Sequence, residues 1–189
     1  MNKRVKTNSI RIISGRWRGR RLPVLDHDGL RPTTDRVRET LFNWLMHDVP
    51  AARCLDLFAG SGVLGLECLS RSAKYVQFVE SERRVADQLR QNLTKLDAAD
   101  AATVSTGDAL NFLRAPNHEC FDLVFLDPPF QAHLLQPAID LLNQPGWLSD
   151  GAMVYIEHHA HDDSIVIPEN WVLHRSGKAG QSRYHLYRH

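Results

Sequence analysis

Four acids stand at or near the ends of apolar runs in this sequence: Asp56 in CLDLFAG, Glu80 in YVQFVE, Asp108 in TVSTGDA and Asp127 in FDLVFLDPPF. The run Leu123–Val124–Phe125–Leu126 reads as a central strand covered on both faces, and two prolines cannot continue a ladder, so the strand stops there and presents Asp127 at its carboxyl end. As a bare motif, D-P-P can also be a strand terminator with a capping aspartate. Gly60, Gly62 and Gly65 form G-x-G-x-x-G in DLFAGSGVLG, a spacing shared by many nucleotide binders, with Gly65 available for close helix–strand packing. Asp56, four residues before Gly60, suits a cationic ligand or one offering an amine, and would repel dinucleotide phosphates. Glu80 is suited to accept both ribose hydroxyls of an adenosine, or to stand as a helix N-terminal charge before ERRVADQL. Asp108 either caps the next helix or accepts from an adenine amino group. Three successive strands ending in acids at one rim is a concurrence that chance does not readily supply.

The elements that would position these acids alternate. From Arg53 onward, RCLDLFAG, AKYVQFVE, ATVSTGD, FDLVFLD and MVYIEHHA read as strands. SGVLGLECLSR, ERRVADQLRQNLTKL, DALNFLR and HLLQPAIDLLNQ read as the intervening helices, with Pro137 expected to bend the last. Val85, Leu89, Leu93 and Leu96 make one apolar stripe. WVLHRS and RYHLYRH are separated only by GKAGQS, too short for a helical crossover, so that pair is antiparallel. The expected fold is α/β: a Rossmann-like, seven-stranded, mostly parallel sheet with an antiparallel C-terminal hairpin and helices on both faces. Before it, Ile10–Ser14 and Arg20–Val24 could pair as a small hairpin across GRWRG. RPTTDRVRETLFNWLM reads as a helix capped by Thr33, Thr34 or Asp35, with Val37, Leu41 and Leu45 on one face. Ligands in such sheets bind outside the carboxyl ends of the strands.

The length, 189 residues, accommodates one substantial domain and not two full ones. The expected division is a basic extension over 1–50 and a catalytic core over 51–189. No apolar run approaches ~20 residues, which excludes a membrane-spanning helix, and the basic N-terminus lacks the apolar core of a secretory signal. Cys54, Cys68 and Cys120 read as reduced core thiols of a cytosolic protein. Residues 1–38 hold eleven lysines and arginines against three aspartates, a surplus of +8, which leaves −7 on the rest of a chain whose net charge is +1. A basic arm on an acidic body points to a polyanionic partner. Trp17 among these arginines could stack on a base while its neighbours hold phosphates. In EHHAH, His159 and His161 would share a strand face, but no further ligand has metal-site spacing.

Taken together, DLFAGSG, the Glu80 strand end, GDA and DPPF resemble the class I S-adenosylmethionine-dependent methyltransferases. DPPF is similar to the [DNS]-P-P-[YFW] motif of enzymes that methylate planar amino groups. RIISGRWRGRRLPV and RPTTDRVRETLFNWL are similar to the N-terminal region of the bacterial 16S ribosomal RNA guanine-N2 methyltransferase family of the RsmD type, and the resemblance covers nearly the whole chain. GKAGQSRYHLYRH is a looser match.

That resemblance implies S-adenosylmethionine as cofactor, held by Asp56, Phe58, Ala59, Gly60, Ser61, Gly62, Glu80, Ser81, Asp108 and Ala109. It implies 16S ribosomal RNA, in an assembling small subunit, as partner, and a cytoplasmic monomer with no metal. Asp127, Pro128, Pro129 and Phe130 would be the catalytic set: a carboxylate and a proline-aimed carbonyl to accept both N–H bonds of the amine, and a ring to stack on the base. RNA contact would fall to Arg11, Arg16, Trp17, Arg18, Arg20, Arg21, Arg31, Arg36 and Arg38, with Arg36 and Arg38 alternatively paired to Asp35, Glu39 or the body. A methyltransferase on another planar amine, such as adenine N6, or a dinucleotide-dependent oxidoreductase are the competing readings of the same motifs.

Overall fold

Strand β6 (Phe121–Leu126) is the hinge of the architecture, because the sheet reverses direction of growth beside it. The computed structural model describes residues 7–25, 35–116, 119–129, 133–162 and 164–189. Seven strands run in the order β5-β4-β3-β6-β7-β9-β8. They are β3 (Arg53–Asp56), β4 (Tyr75–Glu80), β5 (Ala102–Thr106), β6, β7 (Leu148–His159), β8 (Val172–Ala179) and β9 (Ser182–Arg188). β3 to β7 are mutually parallel, and β9 pairs antiparallel with both β7 and β8. Growth goes outward from β3 toward β5 on one side and through β6 on the other, which creates the crevice where open α/β sheets bind ligands. The α/β fold with its antiparallel C-terminal hairpin is the one expected, though β8 and β9 extend into the linker until only Gly180 and Gln181 connect them.

The helices are α1 (Asp35–Trp44), α2 (Val63–Ser70), α3 (Arg83–Lys95), α4 (Ala109–Arg114) and α5 (Leu135–Leu142), with a 3₁₀ turn at Ala99–Ala101. One apolar cluster carries Val37, Leu41 and Leu45 of the α1 segment, Leu66, Leu89, Leu93, Leu96, Phe78, Phe125 and Tyr155. Another carries Val79, Leu113, Leu126, Ala138, Ile139 and Ile156, so the sheet is covered on both faces. Pro137, expected to bend α5, lies in its first turn. It is the third helical residue, where its missing N–H has no intrahelical partner to lose.

The N-terminal hairpin pairs β1 (Thr7–Arg11) with β2 (Arg21–Leu25), somewhat outside the expected strands, and the GRWRG stretch becomes its turn. That turn docks on the carboxyl end of α2. The Arg16 N–H donates to the Ser70 carbonyl at 2.8 Å, the Trp17 N–H to Ser70 Oγ at 3.0 Å, and Ser70 Oγ in turn to the Ser14 carbonyl at 2.6 Å. Consequently Trp17 is only 6% exposed and belongs to the core, with the Arg16 guanidinium 4.0 Å above its ring. Its ring is not available to stack on a nucleobase, which corrects the expectation from its arginine-rich surroundings.

Arg38 takes the expected alternative, pairing with Asp35 and the body in place of RNA contact. It is 3% exposed and paired with Asp35 and with Glu67, itself fully buried on α2, while also donating to the Arg11 carbonyl at 3.0 Å. Glu67 accepts as well from the Ile13 N–H at 2.6 Å and from Arg71. Burial lowers Arg71 to about 10, aided by repulsion from Arg38. A buried carboxylate shared by two guanidiniums and a backbone N–H fastens the basic segment to the sheet's helical layer, because removing any partner strands a charge. Thr33 and Thr34, expected as caps, lie outside the described residues, and Asp35 is the first residue of α1. Of the cysteines, Cys54 and Cys68 are buried, but Cys120 is exposed and not a core thiol.

Candidate functional site at the carboxyl ends of the strands

Parallel register brings the predicted acids to one rim. Asp56 lies opposite Phe125, two residues before Asp127, and Glu80 ends β4 on the other side of β3. Backbone bonds across the strand ends hold the rim in place. The Leu57 N–H donates to the Phe125 carbonyl at 3.3 Å, the Ala59 N–H to the Val79 carbonyl at 2.9 Å, and the Gly107 N–H to the Glu80 carbonyl at 2.9 Å.

Glu80 is the clasp of the glycine turn. One carboxylate oxygen accepts from the Gly60 N–H and the other from the Glu82 N–H, both at 2.7 Å. Each oxygen has two lone pairs, so a half-exposed Glu80 retains acceptor capacity for a pair of hydroxyls. For Glu80 the sequence left ribose and the helix N-terminus as alternatives. The structure shows the second in a modified form, since the helix N-cap itself is Glu82.

Asp56 is 3% exposed and accepts from the Gly65 N–H at 3.0 Å, inside the first turn of α2. Burial pushes its carboxyl up to about 7, opposed by the Gly65 N–H and reinforced by the nearby charge of Glu80. Gly62 has φ +74°, and a Cβ there would lie 2.4 Å from Leu89 Cδ1. A Cβ on Gly65 would lie 2.2 Å from Phe78 Cε1, which explains the close helix–strand packing expected of it. Phe58 and Ser61 are half-buried, while Ala59, Gly60 and Ala109 are buried. Ser81 and Asp108 are exposed, and Asp108 caps α4 by accepting from the Asn111 N–H at 2.8 Å.

Asp127 and Pro128 come directly after β6, half-buried and buried respectively, and Pro129 is exposed. Phe130 and Arg31 lie outside the described residues. Arg16, Arg18, Arg20, Arg21 and Arg36 are exposed, whereas the exposed Arg11 is paired with Asp35 at 3.1 Å. In EHHAH the residues part company. His158 stacks on His185 at 5.3 Å, His159 tilts toward His161 at 5.5 Å, and Glu157 bonds to Tyr155. Among the described residues no group of three or more His, Cys, Asp or Glu is placed to hold a metal ion. Sequence reasoning missed the bond from the Tyr155 hydroxyl to Glu157 at 2.8 Å, although their i, i+2 spacing on a strand was a usable signal.

The chemistry of this set is that of a cradle for a cationic nucleoside. Its acceptors are carboxylates, and the turn over residues 57–62 carries no lysine or arginine to balance a diphosphate. Glu80 ends β4 and Asp108 follows β5 beside it, so their acceptors stand at adjacent strand ends. The residues fit an adenosyl sulfonium.

Comparison with known proteins agrees with this geometry. Residues 10–188 match the family model described as conserved hypothetical protein 95. Over 181 residues the chain is 51% identical to the ribosomal RNA small subunit methyltransferase D of Escherichia coli K12, covering 96% of this chain and 90% of that protein. It is 50% identical to the protein of the same name in Haemophilus influenzae, covering 94% and 93%. The solved structure of yhhF from Escherichia coli superimposes with a TM-score of 0.87 at 48% identity, over 96% of this chain and 98% of that one. A family match spanning both the docked hairpin and the acidic rim means that the chain belongs to the conserved hypothetical protein 95 family.

Proposed function

We propose that this chain transfers a methyl group from S-adenosylmethionine to the exocyclic N2 amine of a guanine in 16S ribosomal RNA. The observation that carries the reading is the rim itself: a Glu80-clasped glycine turn beside a proline-terminated central strand that ends in Asp127. The names of the relatives, ribosomal RNA small subunit methyltransferase D, supply the class of substrate. Residues 51–189 serve as the catalytic core and 1–50 as the RNA-binding extension, acting on an assembling small subunit in the cytoplasm as a monomer.

Asp56, Phe58, Ala59, Gly60, Ser61, Gly62, Glu80, Ser81, Asp108 and Ala109 would hold the cofactor. Bound there, it supplies an electrophilic methyl group on a positively charged sulfur. The chain's own task is to make a poor nucleophile reactive. The guanine amine's lone pair is delocalised into the ring, and removing a proton first demands a very strong base. Asp127 accepts one N–H and the Pro128 carbonyl, aimed by Pro129, accepts the other, which turns the lone pair out of conjugation. Phe130 stacks on the base. As positive charge develops on the amine nitrogen, Asp127 stabilises it and then receives the proton. Positioning and fixed charge, not general-base strength, contribute most of the rate.

The guanine has to leave any stack or pair to reach this rim. Arg16, Arg18, Arg20, Arg21 and Arg36 supply sequence-independent phosphate contacts. Calorimetric titration tests the cofactor half of the proposal. S-adenosylmethionine binds and a nicotinamide dinucleotide does not, and Glu80→Ala weakens binding at least about tenfold, the loss of a charged hydrogen-bond pair. Binding of the dinucleotide in preference would overturn it.

A further inference from the structure

β7 carries a carboxylate that methyl transfer, as derived, does not use. Glu157 is 8% exposed, and its hydrogen-bond partner is the hydroxyl of Tyr155, a fully buried residue, at 2.8 Å. No lysine, arginine or histidine forms an ion pair with Glu157 among the described residues. Folding gains little from an unneutralised acid in such a place, and retained charges of this kind concentrate at functional sites.

Its position comes from register. β6 and β7 run parallel with Phe125 opposite Tyr155 and Leu126 opposite Ile156, so Asp127, the first residue beyond β6, and Glu157, on β7, both follow the last matched pair. Tyr155 and Glu157 alternate with Ile156 and therefore share the face opposite to it. Tyr155 stands in an aromatic group with Phe125 at 6.1 Å and Tyr184 at 6.4 Å, which packs its ring beside Glu157. Burial raises the Tyr155 phenol, and the charges of Glu157 and Asp127 raise it further, as expected if both carboxylates bear on the same spot.

We propose that Glu157 is an electrostatic positioning residue. With Asp127 it forms a carboxylate pair at the end of β6 and β7 that favours the cationic methyl donor over its neutral, demethylated product. This rests on the reading of the rim as an S-adenosylmethionine site. A cation at this strand end is attracted by the Glu157 charge as well as that of Asp127, and the attraction is available to the sulfonium and not to the thioether left after transfer. The pair thereby helps release product.

The test is the ratio of affinities for S-adenosylmethionine and S-adenosylhomocysteine, measured by calorimetry on the full chain. Glu157→Gln keeps the shape and the acceptor for the Tyr155 hydroxyl but removes the charge. It is expected to lower the ratio about fivefold to tenfold, by weakening the cation and leaving the thioether within about twofold, the scale of one partly screened charge. Tyr155→Phe, which leaves the charge in place, is expected to keep the ratio. In the unaltered protein, sinefungin, with an ammonium group near the position of the sulfonium, is expected to bind more tightly than S-adenosylhomocysteine. A Glu157→Gln variant that loses both ligands equally, or neither, overturns the proposal, as does a wild-type preference for the neutral ligand over sinefungin. Failure of the wild type to bind either adenosyl ligand removes the underlying site reading instead.

Discussion

Replacing Asp56 by asparagine should stabilise the free protein at neutral and alkaline pH while harming its ligand site. In the folded chain burial holds the Asp56 carboxyl up at about 7, against an ordinary value of 3.8. The raised folded value fixes the sign. Below 3.8 both folded and unfolded chains are protonated there and the group costs nothing. Between 3.8 and 7 the unfolded chain ionises first, so stability falls as pH rises, and above 7 the full cost is present. At about 1.36 kcal/mol per unit, that cost is ~4 kcal/mol. Asparagine keeps an acceptor for the Gly65 N–H but buries an NH2 group, returning about 1–3 kcal/mol of the gain. The net stabilisation at pH 8 is then about 1–3 kcal/mol, or about 2–12 °C in Tm for a chain of this size. Urea titrations of wild type and Asp56→Asn from pH 4 to 8 read it directly. The wild type should lose stability across that window and the variant should lose less. A variant that is less stable at pH 8, with an unchanged pH slope, would mean that burial does not outweigh the helix-turn hydrogen bond.

Substitutions in the N-terminal segment and the glycine turn have equally definite outcomes. Arg38→Ala strands the buried Glu67 beside Arg71 and should cost about 3–5 kcal/mol in urea unfolding, far more than an RNA-contacting arginine would. Trp17→Ala should cost about 3–5 kcal/mol as a core truncation, whereas Trp17→Phe should fold and bind RNA as the wild type does. Loss of RNA affinity in stable Trp17→Phe would contradict its burial. Arg18→Ala and Arg20→Ala should each reduce the slope of log affinity for RNA against log salt by about 1, with no loss of stability. Gly62→Ala meets both a left-handed backbone and Leu89, and should cost about 1–3 kcal/mol and weaken adenosyl-ligand binding in calorimetry.

The sheet was legible in the sequence because its signals are local and repeated: apolar runs ended by acids, glycines after the first strand, and a linker too short for a crossover. The same locality explains what could not be read. Trp17 sits between two arginines, so composition alone makes the stretch look like an exposed RNA-binding arm. Its burial depends on the docking of a turn against Ser70, more than fifty residues away in sequence. Arg38 belonged to the same basic tally, and only the position of Glu67 on α2 removes it from the surface. Glu80 could be placed at a strand end, but its grip on the Gly60 N–H depends on how two loops meet. That Asp127 and Glu157 each follow a member of the matched pair Leu126 and Ile156 comes from strand register, which an unaligned sequence does not carry.

If the rim formed by Glu80 and Asp127 methylates the N2 amine of a guanine in small-subunit ribosomal RNA, the modification should be visible in the RNA itself. The decisive measurement is nucleoside mass spectrometry of that RNA, from cells lacking the protein and after incubation with purified wild type or Asp127→Ala. One N2-methylguanine should be missing in the deletion, restored by the wild type and not by Asp127→Ala. An unchanged nucleoside profile in the deletion, or the loss of N6-methyladenine in place of N2-methylguanine, would contradict the assignment.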